Sequence, residues 1–279
     1  MQGSPCRSGS PLRSSASSEE ACRFARLGVT DYLEAWGLQK AIARQRGEGS
    51  LPDTLILLEH PHTYTQGRRG KGSDVLLGEE ALERLGVRVC QVDRGGEVTY
   101  HGPGQMVGYP IVDIRPLGGA VGYVRTLEVV LMDTLRDFGL EAQRHEGLVG
   151  VWVGREKIAA IGVRVSRGVS THGFALNVNP DLSYFQHIVP CGIRDRGVTS
   201  MERLLGRPVP LEQVALRLVH HFGLLFHRSM EEVSPGRLRG PRPGAAPCPA
   251  VSAPGSSRLP KNPFDHPPVP LPGQEGGRV

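Results

Sequence analysis

The chain has 279 residues, 39% hydrophobic and 22% charged, which is ordinary globular composition with ample length for a core. Its longest apolar runs, Leu55–Leu58 and Val129–Met132, are far too short to cross a bilayer, which argues against a membrane protein. The net charge of +5 sits at the ends: residues 235–279 hold six Lys or Arg against two acids, residues 1–23 hold three Arg against two Glu, and 24–234 are neutral. A nucleic-acid binder needs a basic face on the folded part, and this chain lacks that charge.

The ends are read as extensions. Residues 1–22 are Ser-rich and broken by Pro and Gly, and 235–279 carry twelve of the 23 prolines. Neither stretch can bury enough apolar surface to offset its ordering entropy, so both are expected to be disordered around a catalytic domain at 23–234. An apolar signal core is missing near the start, and Glu19–Glu20 argue against an import peptide; a cytoplasmic location is expected, with mitochondrial as the alternative. The five cysteines form no C-x-x-C pair, which argues for a reducing compartment and against structural zinc. Of these, only Cys90 and Cys191 are placed in the folded part.

In chain order, Thr30 is expected to cap a helix to about Arg46 that buries Leu33, Trp36 and Ala43. Thr54–Leu58 is a wholly apolar run suited to a strand covered on both faces. Glu79–Leu85 is a short helix stopped by Gly86, and Val87–Val92 alternates as a strand. Arg94–Gln105 holds four glycines and a proline and reads as a long glycine-rich turn, after which Gln105–Ile114 returns to the sheet. Tyr123–Phe138 is the best amphipathic helix, with Val124, Leu127, Leu131 and Leu135 in register and Gly139 as its stop. Val149–Val153, the Gly154–Arg155 turn and Lys157–Val165 form a hairpin, Val169–Val178 the next strand, and Pro210–Phe226 a closing helix. Hairpins mixed with helices predict an α+β fold with a mixed, largely antiparallel sheet.

Four constellations could carry chemistry. The Arg94–Gln105 run lets backbone approach a ligand closely and exposes N–H groups, although a long β-turn with bulges is the plain alternative. It is not a G-x-G-x-x-G helix start, and Gly67–Ser73 lacks the spacing of a phosphate-binding P-loop, so an ATP cradle is unsupported. Cys191 lies between Pro190 and Gly192, a turn that can present sulfur to a cleft, whereas Cys90 sits inside an alternating strand as a small buried hydrophobe. Lys157 enters an otherwise apolar strand. It is either a solvated strand-end lysine or, in a dry cleft beside a thiol, a proton exchanger whose cation favours the thiolate. His172 is either a base or a hydrogen-bonded histidine at a strand bulge, and the remaining His pairs do not converge on a metal.

The segments RGGEVTYHGPGQMVGYPI, GREKIAAIGVRV, HGFALNV and DLSYFQHIVPCGI, with HPHTYTQGRRG ahead of them, together resemble the octanoyl-[acyl-carrier-protein]:protein N-octanoyltransferase family, the lipoyl (octanoyl) transferases. The resemblance spans about 24–230. It implies a fold similar to the catalytic core of biotin and lipoate protein ligases, but with no cofactor and no ATP. It also implies that Cys191 takes octanoyl from phosphopantetheine on acyl-carrier protein as a thioester, and that Lys157 lowers the thiol pKa and exchanges protons. The acyl pocket would be lined by Arg94, Gly95, Gly96, Glu97, Val98, Thr99, Tyr100, His101, Ala160, Ile161, Gly162, Gly173, Phe174 and Ala175. Glu97 stands where relatives often carry Gln. Acceptors would be the lipoyl domains of 2-oxoacid dehydrogenase complexes and the glycine cleavage H protein. An ATP-dependent ligase of similar fold and a noncatalytic acyl-binding protein are the rival readings.

Overall fold

The computed structural model describes residues 20–189 and 196–238. In chain order they form β1 (Glu20–Val29), α1 (Tyr32–Gly47), β2 (Asp53–Glu59), β3 (Thr63–Gln66), α2 (Glu79–Arg84), β4 (Arg88–Gln91), β5 (Val98–His101), β6 (Gln105–Ile111), α3 (Gly119–Arg136), β7 (Gln143–His145), β8 (Leu148–Val153), β9 (Glu156–Ser166), β10 (Val169–Asn177), α4 (Met201–Leu205), α5 (Leu211–Phe226), β11 (Arg228–Glu232) and α6 (Pro235–Leu238). Eight strands make one sheet in the order β11-β1-β2-β6-β10-β9-β8-β7, and β4-β3-β5 make a second, smaller one. Only β11, β1 and β2 run parallel in the large sheet; the other pairings there are antiparallel. The expected mixed, largely antiparallel α+β fold is what the chain adopts.

Helices cover both faces of the large sheet. On one face Leu127, Leu131 and Leu135 of α3 meet Leu218 and Phe222 of α5 over Leu55, Leu57, Phe174 and Leu176. Each of these large side chains is nearly or fully buried, worth about 1.5–3 kcal/mol apiece by transfer. On the other face Ala35 and Ile42 of α1 pack on Ile56, Val107, Tyr109 and Ala175. Strand β2 is covered on both sides, which is why its sequence is apolar without alternation. Gly108 has a structural duty in β6: a Cβ there would come within 2.1 Å of the Phe174 ring that lies across it. No helix among the described residues is long and apolar enough to cross a membrane.

Several expectations need correction. Asp31, not Thr30, caps α1; its carboxylate accepts from the N–H groups of Leu33 (2.9 Å) and Glu34 (3.3 Å) and suits the helix dipole. The buried face of α1 is Tyr32, Ala35, Gln39 and Ile42, one residue out of step with the expected one. Helix α3 starts at Gly119, earlier than Tyr123. The Arg94–Gln105 run is not one long turn, since Val98–His101 is strand β5. Strand β1 opens at Glu20 and fully buries Cys22, so the folded part begins before residue 23 and holds Cys22 as well as Cys90. The sequence hid β1 and β11 because both carry charged residues. Arg26 meets Glu232 and Glu212, and Arg228 meets Asp53 and Glu20. At the other boundary, α6 tucks Leu238 into the core beneath α1. The rest of the expected extensions, 1–19 and 239–279, lies outside the described residues, as does the 190–195 segment with Cys191.

Candidate active site

A cavity of about 470 Å³ opens against the large sheet on the side of α1, with β5 and the Arg94–Gly96 turn forming its opposite wall. Its floor follows from strand register. Gly162 of β9 pairs with Gly173 of β10, and two residues on Ala160 pairs with Ala175. Positions two apart in a strand share a face, so small residues meet small residues across the ladder and leave a trough. Gly162 is also needed for closure, since a Cβ there would stand 3.1 Å from both the Arg94 side chain and the Gly95 carbonyl. The Gly95 N–H donates to the Val163 carbonyl at 3.0 Å and pins the turn over the floor.

Lys157 lines the cavity from the start of β9 and is half-buried. Its Nζ lies over the ring of the buried Trp152, 4.7 Å from the centroid, a cation–π contact. Its backbone is held from the other side: the Lys157 N–H donates to the Gly197 carbonyl (2.9 Å) and the Thr199 N–H donates to the Lys157 carbonyl (3.0 Å). Asn177 donates to the Thr199 carbonyl (3.0 Å) and accepts from Gln105 Nε2 (2.9 Å), while Gln105 Oε1 bonds His101 Nδ1 (2.8 Å). The Lys157 backbone is thus tied by a buried polar chain to the opposite wall. Nearby, the buried carboxylate of Glu128 accepts from the Gly150 N–H (3.2 Å), anchoring the β7–β8 hairpin at the cavity edge.

The other end is aromatic and cationic. Buried Arg94 donates to the Thr65 carbonyl (2.6 Å) and hydroxyl (2.8 Å) and to the Gly95 carbonyl (3.0 Å). His172 adopts φ = +56°, a left-handed conformation unusual for a residue with a side chain. Three contacts hold it: its N–H donates to Gln39 Oε1 (2.8 Å), Nε2 meets Asp93 (2.8 Å), and Nδ1 faces the Tyr32 hydroxyl (3.4 Å). Burial, aided by the Arg94, Lys40 and Arg164 cations, pushes His172 down to about 3. Burial pushes His60 down to about 4 and holds His101 well below the usual imidazole range. These rings are neutral at pH 7, so each has one donor and one acceptor nitrogen.

Of the residues expected at the site, Arg94, Gly95, Gly96, Val98, Thr99, His101, Lys157, Ala160, Ile161, Gly162, Gly173, Phe174 and Ala175 line the cavity. Glu97 and Tyr100 do not. Glu97 contributes its carbonyl to the Gly67 N–H, and Tyr100 turns its ring into a stack with Tyr184, centroids 5.0 Å apart. Cys191 lies outside the described residues. Cys90 is buried as expected, its thiol pushed up by burial, and Cys22 is likewise buried. Tyr32, Arg69, Gln105, Tyr109, Asn177 and Val198 also line the cavity and were not anticipated. Arg69, Gln105, Tyr109 and Asn177 fall within the sequence motifs, but Tyr32 comes from α1, far away in the chain. Among the described residues, no cluster of His, Cys, Asp or Glu is arranged to hold a metal.

Residues 31–223 match the lipoyl protein ligase A/B catalytic domain family. The octanoyltransferase of Solibacter usitatus is 51% identical over 210 residues, covering 75% of this chain and 94% of the relative. That of Rubrobacter xylanophilus is 52% identical over 197 residues, covering 70% and 89%. Among solved structures, the bi-partite lipoate protein ligase of Thermoplasma acidophilum, described together with its lipoyl domain, superposes with a TM-score of 0.60 at 18% identity, covering 77% of this chain and 87% of that one. A lipoate-protein ligase A solved with ATP gives 0.61 at 16% identity, covering 78% and 89%. At such identities these two likenesses speak for the fold alone.

Proposed function

Because the chain belongs to the lipoyl protein ligase A/B catalytic domain family and is an acyltransferase of its octanoyltransferase branch, we propose that it moves octanoyl from acyl-carrier protein to a lysine on a lipoyl domain. The observation that carries this reading is the Gly/Ala-floored cavity with Lys157 at one end. A trough without side chains suits an unbranched acyl chain, and each buried methylene adds about 0.8 kcal/mol to binding.

The proposed reaction has two halves. The Cys191 thiolate attacks the donor carbonyl, the bond to the phosphopantetheine sulfur breaks, and that sulfur takes a proton from the Lys157 ammonium. The neutral acceptor amine then attacks the Cys191 thioester, Lys157 takes the amine proton, and the cysteine departs as thiolate. Protons and charge return to their starting positions. The donor thioester is already activated, so the transfer as proposed draws on no ATP, and a covalent intermediate divides it into two easier steps. Neutral His101 and His172 are read as fixed walls of the site, since their lowered pKa values leave them poor bases at pH 7.

Incubation with octanoyl-carrier protein followed by intact mass measurement tests the reading. The protein should gain one octanoyl group and Cys191→Ser none, while Cys22→Ser and Cys90→Ser should still gain it. An adduct retained in Cys191→Ser removes the proposed nucleophile. Modification of the lipoyl domain from free octanoate only when ATP is added assigns the chain to the ATP-dependent ligases instead.

A further inference from the structure

The cavity holds more positive charge than an uncharged acyl chain requires. Arg69, Arg94 and Lys157 line it, and no Asp or Glu is among its described lining residues. Two of these cations have duties: Arg94 is spent on the Thr65 and Gly95 oxygens, and Lys157 is the proposed proton carrier. Arg69 has none. It is exposed yet lines the cavity, which places it at the rim, and it makes no ion pair among the described residues.

The loop that presents Arg69 is fixed by its backbone. The Gly67 N–H donates to the Glu97 carbonyl (2.8 Å), that of Arg68 to Arg94 (3.1 Å) and that of Arg69 to Gly96 (3.1 Å). A Cβ on Gly67 would stand 2.5 Å from the Gly96 carbonyl, so only glycine permits this approach. A guanidinium carried to the rim on a fixed backbone, with no ion pair among the described residues, is what an anion-binding rim needs.

Distance indicates which anion. Arg69 is tied to Gly96, and the adjoining Gly95 meets β9 at Val163, about 20 Å along the strand from Lys157 at ~3.3 Å per residue. From ordinary bond lengths an extended octanoyl chain is about 9 Å long, whereas a phosphopantetheine arm runs about 16 Å from sulfur to phosphorus. The acyl chain, lying in the trough, falls short of Arg69; the arm, running above it along the mouth where Arg69 is exposed, does not, given the reach of the arginine side chain.

Building on the octanoyl-transfer reading above, we propose that Arg69 binds the phosphodiester of the donor's phosphopantetheine arm at the cavity rim. The test compares octanoyl-phosphopantetheine with octanoyl-pantetheine as donors, in wild type and in Arg69→Gln, with a lipoyl domain as acceptor. Both donors are also offered beside octanoyl-carrier protein. Wild type should favour the phosphorylated donor through a lower KM, and added salt should weaken that preference. Arg69→Gln should raise KM for the phosphorylated donor about tenfold, leave the unphosphorylated donor and kcat unchanged, and so erase the preference. Arg69→Lys should restore part of it.

Equal losses on both small donors overturn the phosphate assignment. A loss seen only with octanoyl-carrier protein also overturns it and assigns Arg69 to the acidic surface of the carrier. If wild type acts on none of the three donors, the transfer reading fails. Because Arg69 is exposed, an unchanged melting temperature in the variant separates these outcomes from misfolding.

Discussion

Lowering the pH from about 7.5 to about 5 should destabilise the fold by about 4 kcal/mol through two buried histidines. His60 is fully buried: Nδ1 meets the Thr30 carbonyl at 2.7 Å and Nε2 the Tyr109 hydroxyl at 2.7 Å. His172 is 1% exposed. Burial holds them near about 4 and about 3, whereas in the unfolded chain both titrate near ~6.5. The folded values are depressed, so their contribution is complete above the unfolded value and is lost as pH falls. At pH 5 the unfolded chain has taken up nearly one proton per histidine and the native state almost none. Each therefore costs about 2 kcal/mol at ~1.36 kcal/mol per pH unit, and His101 acts in the same direction. Asp113, held low at about 2 by Arg115, does not titrate in this window. Urea unfolding at both pH values gives the difference directly, and about 4 kcal/mol is a large part of a usual domain stability of ~5–15 kcal/mol. His60→Gln should be weaker at pH 7.5 but lose about 2 kcal/mol less on acidification. Equal wild-type stability at pH 7.5 and 5, or unfolding at pH 5 without uptake of at least one proton, refutes the argument.

Lys157→Arg should keep Cys191 alkylation by iodoacetamide close to the wild-type pH profile while losing acyl transfer, because a guanidinium stays charged but does not release its proton; Lys157→Met should lose both. Unchanged alkylation and transfer in Lys157→Met take the lysine out of the mechanism. Ala160→Leu fills the trough and should displace roughly three methylenes of substrate, costing about 2 kcal/mol and lowering octanoyl kcat/KM some thirty- to fiftyfold while sparing butanoyl; a uniform loss across chain lengths counts against the trough as the acyl site. A chain trimmed to begin at Glu20 should melt with the full-length protein, whereas one beginning at Arg23 removes the buried Cys22 and should lose about 1–2 kcal/mol. Equal melting of the two trimmed forms contradicts the assignment of Glu20–Cys22 to the sheet.

What the sequence determined alone is the part of the molecule written in local pattern. β2, the β8–β9 hairpin, α3 and α5 are legible because apolar spacing and glycine stops are local, and Ala160, Gly162, Gly173 and Ala175 announce themselves as small residues in otherwise bulky strands. Tertiary structure decided what has no local signature. β1 and β11 look polar along the chain, and only their pairing shows that Arg26 and Arg228 are satisfied by carboxylates far away in sequence. Asp31 and Thr30 both cap helices well, and it took backbone geometry to choose between them. The facing of Gly162 with Gly173 depends on the register between β9 and β10, which turns four small residues into one trough. Nor does any motif bring Tyr32, Arg69 and His172 to the same cavity; α1, the β3 loop and β10 converge there because both sheets must bury their apolar faces.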